Sequence, residues 1–337
     1  MTNPAATNSI FDVCAIGNAM VDVLSHESHE LIEKLGLEPG AMNLVDADRA
    51  EEIYEAMGPG IEASGGSAAN TTVGVVSFGS RAAFIGRVAD DPFGEIYRHD
   101  LLTAGVHFAA TVAADSPEPT GRCLVIVTPD AQRTMCTYLG AGRNLDPSIV
   151  DDSIVGASQV LYLEGYLWDE PSAKLAFLHA ADVAHVAGRQ VALTLSDPFC
   201  VERHRAAFLD LVAGHVDILF ANEAEICSLY EVDDVESAIT NVAAHCSIAA
   251  ITRSEHGSVV VDDDGERHDA PAAPANVVDT TGAGDLYAAG FLTGYTRGLP
   301  LARCGELGSL AASEVISHLG ARPEKSLQAL AGSLLTA

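Results

Sequence analysis

Short apolar runs separated by amphipathic stretches set the main constraint on how this chain folds. Phe11-Asp12-Val13-Cys14-Ala15-Ile16 comes first and ends at Gly17. Comparable runs follow at Ala82-Ala83-Phe84-Ile85-Gly86, Val160-Leu161-Tyr162-Leu163, Val191-Ala192-Leu193-Thr194-Leu195, Ile218-Leu219-Phe220 and Ala249-Ala250-Ile251-Thr252. Between them, segments such as 173–187 and 235–245 carry apolar residues at helical spacing. Strands that are apolar throughout are buried on both faces, and in alternation with helices they imply a largely parallel sheet covered on both sides. In such sheets ligands bind at the carboxyl ends of the strands.

One segment breaks the alternation. Arg122 to Thr128 and Arg133 to Tyr138 are both β-prone and are joined by Pro129-Asp130-Ala131-Gln132, which is good turn chemistry. A hairpin inside an α/β chain predicts a small secondary sheet that could act as a lid. Residues 26–59 lack a clear central strand and are expected in the same appendage, giving lid segments at about 26–59 and 118–140 of a single 337-residue domain.

Composition narrows the function. The formal charge is −29, and the three lysines, Lys34, Lys174 and Lys325, form no basic run. Binding to nucleic acid or to an anionic membrane is therefore not expected. The acidity is read as a means of staying soluble in an acidic or salty cytoplasm. No apolar run reaches the roughly 20 residues that span a bilayer. The first ten residues are polar and lack the features of a signal peptide, so a cytoplasmic location is expected. Seven singly scattered cysteines, with no Cys-x-x-Cys pair, read as reduced thiols. No histidine spacing suggests a metal-binding helix; His26 and His29 read as solvated.

The most specific motif is Asp279-Thr280-Thr281-Gly282-Ala283-Gly284-Asp285, followed by a helical stretch beginning at Leu286. Gly282, Ala283 and Gly284 permit a tight turn whose exposed amides, at a helix start, form a site for an anion. Asp285 is placed there to accept a hydroxyl proton, or simply to cap the helix, which is the commoner role of such an aspartate. Ser64-Gly65-Gly66-Ser67-Ala68-Ala69-Asn70 is a weaker signal, either a glycine turn entering a helix or a ligand-facing backbone. Gly17-Asn18-Ala19-Met20-Val21-Asp22 follows the first strand, and an isolated Asp22 there reads as a cap or surface carboxylate. Neither Gly-x4-Gly-Lys-Ser/Thr nor Gly-x-Gly-x-x-Gly occurs, which counts against P-loop and dinucleotide folds.

Taken in order, these clusters resemble the ribokinase-like (PfkB) family of carbohydrate and nucleoside kinases over nearly the whole chain. Its two signatures look intact, one running from Gly65-Gly66 to Gly86-Arg87-Val88-Ala89-Asp90-Asp91-Pro92-Phe93-Gly94 and the other from Asp279 to Gly290. The resemblance implies a three-layer α/β/α domain with a mostly parallel sheet and a small β-containing lid. It implies ATP and Mg²⁺, and in some members a monovalent cation such as K⁺, for which Asp279 and Thr281 would contribute. Asp285 matches the family's catalytic base and Gly282, Ala283 and Gly284 its anion hole. Asp22, Asn70 and the backbone at Gly65 and Gly66 match the groups that hold substrate hydroxyls. Asn222-Glu223-Ala224-Glu225 is similar to the element that places magnesium indirectly, with Asn222 and Glu225 its key residues. Thr252, Arg253 and Gly257 resemble the nucleotide loop, and Gly320-Ala321 the turn over the ATP base. Arg133 and Arg253 are the cations expected on phosphate, although either could be a surface residue.

Within the family the chain is most similar to the adenosine kinase branch, on Gly17 to Asp22 with Asn18, on Leu195-Ser196-Asp197-Pro198-Phe199 and on Asp217 to Glu223. That likeness implies a purine held between Met20, Met135, Leu167, Phe199 and Tyr287, with Ser67 and Asn43 at its polar edge. Ala19 replaces the branch's proline, Leu167 its phenylalanine and Met135 its leucine. A ribokinase- or fructokinase-like sugar kinase is the alternative, and a catalytically idle sugar- or nucleoside-binding regulator a third reading. The partner is a small molecule, and the chain is expected to be a monomer or a homodimer.

Overall fold

β1 (Phe11–Ile16) occupies the interior of the main sheet because its last four residues are all apolar. Val13 and Ala15 point into one apolar layer and Cys14 and Ile16 into the other, all four fully buried. The computed structural model describes residues 9–113, 118–130 and 132–336. The polar first residues, up to Asn8, and Ala131 of the hairpin turn lie outside the described residues.

The chain leaves β1 for β2 (Met20–His26), α1 (His29–Leu35), β3 (Met42–Leu44), α2 (Ala47–Ala56) and β4 (Ile61–Gly65). It returns through α3 (Ser67–Ser77) to β5 (Ala82–Ala89), α4 (Pro92–Thr103) and β6 (His107–Ala113). The hairpin β7 (Gly121–Val127) and β8 (Arg133–Tyr138) leads on to α5 (Asp152–Gly156), β9 (Ser158–Glu164) and α6 (Pro171–Val186). Then come β10 (Gln190–Thr194), α7 (Pro198–His215), β11 (Ile218–Asn222), α8 (Glu223–Tyr230), α9 (Val235–Val242) and β12 (Ile248–Thr252). β13 (Ser258–Asp262), β14 (Arg267–Ala270), α10 (Ala283–Thr296), α11 (Leu301–Val315) and α12 (Leu327–Ala331) complete the order.

Among the described residues, nine strands form the main sheet in the order β14-β13-β12-β11-β10-β9-β1-β5-β6. It is parallel from β6 to β12, with β13 and β14 added antiparallel at one edge. The order turns around at β1, which has β5 on one side and β9 on the other. This opens a crevice at the carboxyl ends of these strands. One apolar layer seats α3, α10 and α11, and the other seats α6, α7, α8 and α9.

The second sheet has the order β3-β8-β7-β2-β4. The hairpin pairs in register, Val127 with Arg133 and Arg122 with Tyr138. The sheet also recruits Met20–His26 and Ile61–Gly65, which the pattern of apolar runs does not mark as strands. Both are short and carry polar residues on one side, so neither reads as a buried parallel strand. β2 alternates: Val21 and Val23 face the main core, while Met20, Asp22 and Leu24 face the other way. Asp22 is thus a mid-strand residue and not a cap.

α10 is buried along almost its whole length, with α3 on one side and α11 on the other. The contact with α11 is backbone-close at Gly290, where an added Cβ would stand 2.3 Å from the Leu307 carbonyl oxygen. Gly290→Ala is expected to lower unfolding free energy by about 1–3 kcal/mol despite alanine's better helix propensity, because overpacking dominates there. Urea denaturation of the variant beside the parent protein checks this.

Candidate active site

The site starts from the way α10 begins. Gly282 has φ of +79°, a left-handed conformation that an L side chain resists, and its Cα side lies against Ala321, 2.8 Å from an added Cβ. The first-turn amides that follow have no preceding helical carbonyl to bond, though that of Ala283 donates to the Thr280 carbonyl at 3.2 Å. A Cβ on Gly284 would meet nothing within 4 Å, so the positive end of the helix opens onto free space.

As the third residue of α10, Asp285 is gripped from α3. Ser67 Oγ donates to its Oδ1 at 2.6 Å, and Asn70 Nδ2 donates to its Oδ2 at 3.0 Å. Thr71 Oγ1 donates to the Asp285 carbonyl at 3.2 Å. Burial raises the carboxyl above its ordinary value, while the bonds from Ser67 and Asn70 oppose the rise. Asp22 enters from β2, with its carboxylate against Gly65. Burial pushes it up to about 6, with Asp285 adding to the rise and Arg322 and Arg133 opposing it. Ser67 was expected at the edge of a base; it instead holds Asp285.

A third carboxylate comes from α8, where Asn222 and Glu225 form a reciprocal cap. Asn222 Oδ1 accepts the Glu225 amide at 2.8 Å, and the Glu225 carboxylate accepts the Asn222 amide at 3.0 Å and Nδ2 at 2.6 Å. Burial, and then the charges of Asp197 and Asp285, move Glu225 to about 7. Among the described residues no three His, Cys, Asp or Glu side chains group as a metal cage.

Arg133, on β8, reaches across from the second sheet. Its Nη1 donates to Thr281 Oγ1 at 2.9 Å, and its Nη2 lies 2.7 Å from Asp279 Oδ2, close but outside hydrogen-bonding direction. Asp279 also accepts Thr281 N–H and Oγ1 and the Gly320 amide. A K⁺ ion bound at Asp279 would have to displace Arg133. Thr252 ends β12, Gly257 turns with φ of +79° before β13, and Arg253 stands 3.5 Å from Glu223.

The expected purine walls do not all converge. Met20 and Met135 do share one face of the second sheet, with Leu24 and Val125. Leu167 is buried in the core against α6 and α7. Tyr287 is also core: its hydroxyl donates to Ser258 Oγ at 2.7 Å and its ring packs on Gly308. Two residues along a helix is a rotation of about 200°, so a Tyr287 that follows a cleft-facing Asp285 must point away. Asn18 is 1% exposed beneath Gly66 and Gly142 and offers no free surface to a ligand. Asn43 donates to the Ala41 and Met135 carbonyls of its own sheet. Phe199 is 69% exposed at the start of α7.

Three residues were overlooked. Tyr166, 39% exposed, has its hydroxyl raised by burial and then by the charges of Asp197, Asp285, Glu225 and Glu164. Glu164 is 1% exposed, accepts the Ala68 amide at 2.9 Å and lies under Gly17. An acidic residue closing an apolar strand ahead of a glycine was a signal for it. Arg322 donates to Ser64 Oγ at 2.6 Å and to Asn70 Oδ1 at 3.3 Å. No local pattern marks it, since those partners lie about 250 residues away.

This fold, with a carboxylate and a helix start at the end of the sheet, defines a phosphotransferase acting on an alcohol group. Residues 12–327 match the family described as pfkB family carbohydrate kinase, and the chain belongs to that family. It is 52% identical to the adenosine kinase from Sinorhizobium meliloti, with a TM-score of 0.88 over 95% of this chain and 98% of that one. A probable sugar kinase from Rhizobium etli CFN 42 is 49% identical, with a TM-score of 0.89 over 96% and 98%. The 5-dehydro-2-deoxygluconokinase of Geobacillus thermodenitrificans is 30% identical over 264 residues, 75% of this chain and 78% of its own length.

Burial lifts Glu164 to about 8 from 4.5, so the folded state keeps a proton that the unfolded chain releases. Stability from this group is therefore full at low pH and is lost as pH rises from about 4.5 through 8. Glu164→Gln keeps an acceptor for Ala68 and is expected to gain on the parent protein in melting temperature across that window. Thermal unfolding at pH 5, 7 and 8.5 reads it out.

Proposed function

We propose that the chain moves the γ-phosphoryl group of ATP to the 5′-hydroxyl of a nucleoside, with adenosine as the acceptor and AMP as the product, in cytoplasmic purine salvage. The observation that carries this is the Asp285 carboxylate held between Ser67 and Asn70 at the open start of α10. Asp285 accepts the hydroxyl proton as the oxygen–phosphorus bond forms and the bond to the departing ADP breaks. Its raised basicity helps, and its two hydrogen bonds hold the receiving oxygens in place. The amides of Gly282, Ala283 and Gly284 stabilise the charge on the transferring group, the usual demand of phosphoryl transfer. Bound Mg²⁺ would offset negative charge shared by the phosphates and the carboxylates of Asp285 and Glu225, with Glu225 acting through water because its oxygens are held by Asn222. Asp22 and Asn70 accept and donate to the ribose hydroxyls. Met20, Leu24, Met135 and Tyr166 supply apolar surface for a flat base. Arg133 passes from Asp279 to phosphate as the second sheet closes and water is excluded.

Support for adenosine comes from the similarity to the Sinorhizobium adenosine kinase. A sugar kinase is the second reading. It is favoured by the withdrawal of Leu167 and Tyr287 into the core, which thins the apolar wall, and by the likeness to a 5-dehydro-2-deoxygluconokinase.

An ADP-release assay over adenosine, other nucleosides, ribose, fructose and 5-dehydro-2-deoxygluconate separates the readings. Turnover on adenosine above the sugars is expected; turnover on a sugar without adenosine selects the second reading. Binding without turnover on any acceptor would mark a regulator. Asp285→Asn should lower kcat by about 100-fold or more with the fold intact by circular dichroism. Near-normal turnover in that variant removes the role given to Asp285.

A further inference from the structure

Arg322 sits where the two halves of the site meet. It directly follows Gly320, whose amide donates to Asp279 at 2.9 Å, and Ala321, which packs on Gly282. Its side chain then runs to the acceptor side. Nη1 donates to Ser64 Oγ at 2.6 Å, and Nε donates to Asn70 Oδ1 at 3.3 Å. The second bond dictates which way the Asn70 amide faces. With Oδ1 turned to a cation, Nδ2 must point the other way, and it is Nδ2 that donates to Asp285 at 3.0 Å. Without the guanidinium, Asn70 loses the bond that anchors its Oδ1, and its side chain is free to turn away from Asp285.

We propose that Arg322 is a positioning residue for phosphoryl transfer: it orients Asn70 toward Asp285 and ties the turn at 320–321 on the anion hole to the acceptor site on α3 and β4. This rests on the reading of Asp285 as the base and Asn70 as a hydroxyl ligand. The arrangement also has an electrostatic side. The Asp22 carboxylate faces Arg322 and Arg133 as cations, Asp285 as an anion, and the Tyr97 and Cys123 side chains. Arg322 opposes the rise that burial imposes on Asp22. Lysine could keep the charge, but it lacks the planar fork that serves Ser64 and Asn70 together.

The test uses Arg322→Ala and Arg322→Lys in the full chain, with adenosine as the acceptor. The Ala variant should raise adenosine KM about 10-fold and lower kcat about 10-fold, with ATP KM within about 2-fold, the scale of losing a charged hydrogen bond. The acid limb of its kcat/KM profile should move to higher pH, because Asp22 ionises less readily once the cation is gone. The Lys variant should return the acid limb to the parent position but not restore kcat. Arg322→Met, which keeps the apolar stem, replaces the Ala variant if that fails to fold. A crystal structure of the folded variant should show the Asn70–Asp285 hydrogen bond lost. Unchanged adenosine KM, kcat and acid limb in the Ala or Met variant would overturn the proposal, as would retention of that bond. The crystallographic arm needs no acceptor, so Arg322 is judged even if adenosine fails as a substrate of the parent protein.

Discussion

The contact that organises this molecule is the seam between α3 and α10, where Asp285 is held by Ser67 and Asn70. The two helices belong to segments more than 200 residues apart. They can meet because small residues line the seam: Gly74 lies against Ala289 and Leu286, and Gly290 lets α11 close from the other side. Apolar packing fixes the depth of α10, and depth fixes where its first turn ends. A carboxylate at that position is partly desolvated, so it binds a proton more readily and needs donors to stay in place.

A chain with a net charge of −29 concentrates carboxylates even at its functional end, where Asp22, Asp197, Glu225 and Asp285 influence one another. Few cations answer them. Arg133 comes from the second sheet and Arg322 from the turn after α11, so each compensates charge only when its element is docked. The site's electrostatics and the docking of its second sheet and of the turn after α11 are thus one problem. Arg133 is read as a group that changes partners because its strand belongs to the second sheet, and Arg322 as one that does not because it is bonded to Ser64 and Asn70 beside α3.

The main sheet was legible in the residues because its strands are apolar on both faces, a pattern few other structures require. β14 escaped that reading, since it carries charged residues at the edge of the sheet. The second sheet was legible only at its hairpin. β2 was not legible as a strand because only one of its faces is apolar enough to enter the main core, and such a strand declares itself only when β7 and β4 pair with it. The family resemblance named Asp22, Asn70, Asn222, Glu225 and Asp285, which the fold places near one another, and also Leu167 and Tyr287, which lie in the core. Helix phase decided against Tyr287, and at Leu167 the tight turn after β9 exposes the preceding tyrosine instead.

The stretch from Asp279 to Asp285 shows the division most clearly. By itself the sequence determined a glycine turn, a helix start and a carboxylate in its first turn, because only a left-handed Gly282 lets the chain enter α10 there. The tertiary structure decided what that carboxylate touches. Ser67, Asn70 and, through Asn70, Arg322 reach it only after the sheet has folded the chain back on itself, and no spacing along the chain encodes distances across such a crossover.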